Sequence, residues 1–126
     1  MKIFGVEYGF RFSVGAAMEI AKYCPGEKLE NLTDLMNEGS AKSIELICKL
    51  AEQCSIAFEQ AKAFESGEAP RQHLTREMAL SLEFGQMGEL MKEVMAAFSA
   101  DGKTTVELAS EPAKKNEEDS RAEKSD

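Results

Sequence analysis

The chain has little of what chemistry at a site requires. It holds one histidine, three cysteines and three prolines among 126 residues. The histidine, His73, sits in the loop-like stretch "ESGEAPRQH" with no nucleophile or metal partner at a spacing that would make it a general base, so an enzyme is not expected. Cys24, Cys48 and Cys54 are odd in number and include no CxxC pair, which argues against a disulfide framework or a zinc site. They read as small buried apolar residues. Gly85 and Gly88 belong to no GxxxxGK[ST] or GxGxxG loop, and the acidic residues are scattered singly rather than in the DxDxDG order that wraps calcium. No catalytic, metal-binding or cofactor-binding residue is predicted, and no small-molecule substrate.

Long apolar runs are also missing. Nothing approaches the roughly 18 to 20 residues that span a bilayer, and the amino terminus lacks a basic stretch followed by an apolar core and a cleavage site. A formal net charge of −8 would be repelled by phosphate backbones and anionic lipid surfaces. Neither nucleic acid nor membrane is expected as a partner, and the cytoplasm is the expected location.

What is present is a change of rhythm. In "MKIFGVEYGFRFSVG", Phe4, Val6, Tyr8, Phe10 and Phe12 alternate with small or polar residues, the period of a strand with one covered face. A type II′ turn at Gly5-Val6 would pair strands over 2–4 and 7–13. From Ser13, a plausible N-cap, the period lengthens to that of a helix over 14–23 with Val14, Ala17, Met18 and Ala21 on one stripe, ended by Pro25-Gly26. Further helical spacings cover 29–37, 41–65, 75–83 and 86–99. The 41–65 helix carries an apolar arc wide enough, with Leu46, Leu50, Ala57 and Phe64 flanking its main stripe, to be central. The fold class predicted is α+β, mainly α-helical: an N-terminal β-hairpin (2–13) and a small bundle of about four to five helices in one domain (1–100). Beyond it, 101–126 keeps only Val106 and Leu108 as large apolar residues and is expected to be a disordered charged tail.

Two features suggest protein contact. The aromatic side of the hairpin, Phe4, Tyr8, Phe10 and Phe12, needs cover, either from the chain's own long helix or from a second copy by strand addition. In the last helix Met87, Met91 and Val94 lie on an apolar stripe with Leu90 and Phe98, Met95 beside it, and this surface is either core filling or an adaptable groove for an apolar partner.

The order of these parts resembles the tail assembly chaperones of long-tailed bacteriophages and prophages. The pieces that carry the likeness are "FGVEYGFRFSVGAAMEIAK", "LENLTDLM", "SIELICKLAEQCSIAFEQAKAF", "LTREMALSL" and "MGELMKEVMAAF", spanning residues 1 to about 99. Many members carry Asn-Gly at the hairpin turn where this chain has Phe4-Gly5. The resemblance implies a non-enzymatic, self-associating protein that coats and solubilises the tape-measure protein and helps recruit tail tube subunits. Such a protein acts in the cytoplasm of the bacterial host and is absent from the mature virion. In many members a frameshift near the end of the gene gives a longer product, and Lys114-Lys115-Asn116 here is either a stretch that a slippery adenine-rich run can encode or part of an ordinary solubilising tail. A small acidic helical adaptor, or a secretion-type chaperone that binds an amphipathic client helix, would share the same acidity and lack of motifs.

Overall fold

The structure is a computed structural model that describes residues 1–99; the expected tail over 101–126 lies outside the described residues. Two short strands, β1 (Lys2–Ile3) and β2 (Val6–Glu7), are followed by α1 (Val14–Ala21). Two single 3₁₀ turns, Pro25–Glu27 and Leu29–Asn31, lead to α2 (Leu32–Met36), and then come α3 (Ala41–Ser66), α4 (Arg76–Leu80) and α5 (Phe84–Ala97). The α+β, mainly helical architecture is the predicted one.

Local chemistry explains most boundaries. Ser13 Oγ accepts from the Ala16 amide at 3.1 Å and Ser40 Oγ from the Ser43 amide at 3.2 Å, so each hydroxyl satisfies an amide that its helix leaves open. Thr75 does the same for Met78 at 3.1 Å. At the far end of α3, Gly67 turns into the left-handed region (φ +78°), where a side chain would be strained, and its amide closes on the Ala63 carbonyl. The last helix starts two residues earlier than its periodicity indicates, because the Gln86 side chain accepts from the Glu83 amide at 3.3 Å and so extends order back to Phe84.

The hairpin differs from its expected form. Lys2 pairs with Glu7 and Ile3 with Val6, so the two central turn residues are Phe4 and Gly5, not Gly5 and Val6. Both have positive φ, +49° and +81°, which makes this a type I′ turn, the connection whose twist matches a short antiparallel pair. The second strand stops at Glu7 instead of running to residue 13. Tyr8 still bonds across the hairpin, its amide donating to the Met1 carbonyl at 2.9 Å, but beyond it the chain bonds elsewhere: the Arg11 amide donates to the Cys54 carbonyl of α3 at 3.0 Å. A strand of seven residues has no strand partner there, so the segment lies on the helix instead.

α3 is the axis of the fold and packs against α1, α2, α4 and α5. Its buried face includes Ile47, Cys48, Leu50, Ala51 and Cys54; Ile20, Leu32, Leu74, Leu90 and Val94 from the surrounding elements are each fully buried. All three cysteines are buried, as read from sequence. In α1 the buried side is Ala16, Ala17 and Ile20, while Val14 and Met18 are exposed, so the expected stripe was rotated by about one residue. The two alanines allow α1 to lie close to α3, which the larger Val14 and Met18 would prevent.

Candidate protein-interaction surface

The eight residues expected to form an interaction surface separate into core and exterior. Tyr8 and Phe12 are buried, and Val94 is wholly so; these three are core residues, which corrects their assignment to a contact surface. The Phe12 ring meets Phe98 edge-on at 4.9 Å, joining the segment after the hairpin to the end of α5. Phe10 is half-buried at a cleft of about 270 Å³ that it shares with Phe58, Ala61 and Lys62 of α3. Met87, Met91 and Met95 are half-buried and pack on the core, so the methionine stripe of α5 is an inward face with only its edges at the surface. Ile3 of the hairpin and Tyr8 and Phe12 of the segment after it therefore pack into the core of their own chain. Phe4 alone of the expected aromatics points outward, 62% exposed.

Other apolar residues take the exterior role. Phe64 is 86% exposed on the last turn of α3 and Phe84 is 84% exposed at the first residue of α5. Val14 and Met18, one turn apart on α1, add an exposed pair, and Leu80, the last residue of α4, is about half exposed. Phe64 belongs to the apolar arc by helical phase and was expected to be buried with it. It is not, because α3 runs beyond the elements that cover its middle, and phase alone does not report where cover ends. The signal for Phe84 was weaker still: it preceded the apparent helix.

The hairpin is held by charge. The Met1 ammonium donates to Glu7 Oε2 and, at 2.9 Å, to the Tyr8 carbonyl. That contact holds the Glu7 carboxyl below the usual carboxylate range. A second clamp involves Glu59, a buried acid on α3. The Arg71 guanidinium donates to both of its oxygens, from Nη2 at 2.8 Å to Oε2 and from Nε at 3.2 Å to Oε1. The same Nη2 donates to the Glu7 carbonyl at 3.0 Å. One arginine thus joins the loop before α4, the long helix and the hairpin. Hydrogen bonding to Arg71 keeps Glu59 ionised and lowers its pKa against the opposing effect of burial. Neither residue carried a signal in the sequence, since Glu59 and Arg71 are twelve positions apart and follow no helical pairing.

Among the described residues no group of three or more histidine, cysteine, aspartate or glutamate side chains is placed to hold a metal ion. No described helix is long and apolar enough to cross a membrane. Comparison with protein-family models, with curated proteins and with solved structures finds no match. What the geometry shows is a closed core, clamped by Arg71, that carries isolated large apolar side chains on its outside.

Proposed function

We propose that this chain is a phage tail assembly chaperone, a non-enzymatic protein that coats the tape-measure protein, keeps it soluble and yields it to tail tube subunits. The observation that carries the reading is the set of phenylalanines Phe4, Phe64 and Phe84, each more than 60% exposed. Their placement supports reversible coating. Full burial of a phenylalanine contributes about 1.5–3 kcal/mol, so three supply roughly 5–9 kcal/mol. Association alone costs an estimated 4–15 kcal/mol. A single copy would hold its client weakly; several copies side by side on a long helical client gain through multivalency, and each is easily displaced. The net charge of −8 keeps the unassembled copies and the loaded complex apart from one another in solution. The proposed setting is the bacterial cytoplasm during assembly, with the tape-measure and tail tube proteins as partners and no part in the finished particle.

The test is co-expression with the tape-measure protein of the same genome. The wild-type chain should bring it into the soluble fraction as a complex with several copies of the chaperone per client. Phe64→Ser/Phe84→Ser should lower the soluble client at least about tenfold, since losing roughly 3–6 kcal/mol of burial exceeds that factor, while the variant's own melting temperature stays within a degree or two. A tape-measure protein that remains insoluble beside the wild-type chain sinks the reading.

A further inference from the structure

A cavity of about 440 Å³ lies away from the hairpin, between the end of α1 and the first turns of α3. That volume is within the range of ligand-binding clefts. Its apolar floor includes Leu35 and Leu46, and Tyr23, 52% exposed, forms part of one wall. Three lysines line it, Lys22, Lys42 and Lys49, against two carboxylates, Glu38 and Glu45. This is a local excess of positive charge on a chain of net charge −8.

The cations are only partly satisfied. Lys22 pairs with Glu19 at 3.1 Å, and Lys49 sits over the Tyr23 ring at 4.7 Å. Lys42 has no ion pair among the described residues, and Glu45 is drawn toward Arg76 at 3.9 Å. An occupant that suits this cleft has small apolar side chains for the floor and carboxylates for the rim.

The chain contains such a segment outside the described residues. "VELASE", residues 106–111, carries Val106 and Leu108, the only large apolar residues beyond Ser99, together with Glu107 and Glu111. In an extended strand Val106 and Leu108 face one side, while Glu107 and Glu111 face the other. We propose that residues 106–111 dock in this lysine-walled cavity of their own chain, with Val106 and Leu108 on its floor and the two glutamates toward Lys42 and Lys49.

The reach is sufficient. Phe98 lies against Phe12, just before the start of α1, and the cavity lies just past its end at Tyr23 and Cys24. At 1.5 Å per helical residue that separation is about 18 Å, whereas the seven steps from Ser99 to Val106 span up to roughly 25 Å. The inference does not rest on the identity of any client, so a chain that coats no tape-measure protein leaves it intact.

The experiment compares amide spectra of the ¹⁵N-labelled full chain with those of chains ending at Ala100 and at Pro112. All the buried core residues named above lie before Ala100, so the shorter chain keeps its core. Removal of 101–126 should shift the amides of Tyr23, Leu35, Lys42 and Leu46, and ending at Pro112 should leave them where the full chain has them. Leu108→Asp and Lys42→Glu/Lys49→Glu, made in the full chain, should each move the Tyr23 and Leu35 amides toward the positions of the shortest chain, with unchanged melting. Identical positions in the full, shortened and Leu108→Asp chains overturn the proposal. So do shifts that appear only as concentration and particle mass rise, because they would place the segment on another copy.

Discussion

Replacing Arg71 by glutamine should cost this small domain a large part of its stability, and the structure indicates how much. The substitution removes two charge-assisted hydrogen bonds to Glu59 and one bond to the Glu7 carbonyl, and leaves a carboxylate that is 2% exposed without its cation. Breaking a buried pair from one side costs about 3–5 kcal/mol. Arg71 itself is half exposed, so water can reach the vacated side and solvate part of the charge; about 2–3 kcal/mol is the expected loss. For a domain of this size that corresponds to a fall in melting temperature of at least about 8 °C, read by circular dichroism. Changing both partners, Glu59→Gln/Arg71→Gln, removes the stranded charge and should be milder than the single change. Acid provides an independent check. Because Arg71 holds the Glu59 carboxyl below its ordinary value, its stabilising effect is complete above the unfolded carboxylate pKa of about 4.3 and is lost as the pH falls through the lower folded value. The gap between wild type and Arg71→Gln should therefore be full at pH 7 and narrow below about pH 4. A variant that melts within about 2 °C of wild type at pH 7, or a double change worse than the single one, would refute the assignment of Glu59 as a buried ionised residue dependent on this arginine.

Val94→Asp should unfold or aggregate the chain, since it places a charge at a fully buried position, whereas Met91→Asp at the half-buried edge of the same helix should leave a folded protein; circular dichroism separates the two. Phe4→Asn should raise the melting temperature by a few degrees, because asparagine tolerates the left-handed backbone at φ +49° that phenylalanine occupies at a cost of about 1 kcal/mol. A fall would mean that the Phe4 ring contributes contacts which its exposure conceals. Deleting 113–126 should leave the melting curve nearly unchanged, because every buried core residue described precedes Ser99; a drop of several degrees would place part of the core in the deleted segment.

Periodicity and punctuation were sufficient for the order of elements. Ser13, Ser40 and Thr75 are short hydroxyl side chains beside helical patterns, and each caps the helix it precedes. Gly67 ends α3 because only a residue without Cβ enters its backbone conformation without strain. These are local effects, set within four or five neighbours, and the sequence displays them directly. The central place of α3 was also legible, since an apolar arc that wide has to be covered on several sides.

Which apolar residues are covered was decided only in three dimensions. Val14, Met18 and Phe64 share helical phase or hydrophobicity with buried neighbours yet lie outside, because cover depends on where another element ends. Val94 and Met91, three residues apart on one stripe, divide into core and edge for the same reason. The turn moved to Phe4-Gly5 because the pairing of Ile3 with Val6 sets the register, and the aromatic alternation of 4–12 then broke as the chain left its strand to bond with α3. Glu59 reads as an ordinary polar position in a helix until Arg71 arrives from twelve residues on, and the lysine-walled cavity exists only because α1 and α3 converge. Backbone chemistry is written in neighbouring residues, so the sequence alone determined the elements. Burial, ion pairing and cavities arise where distant segments meet, so only the tertiary structure decided the surface.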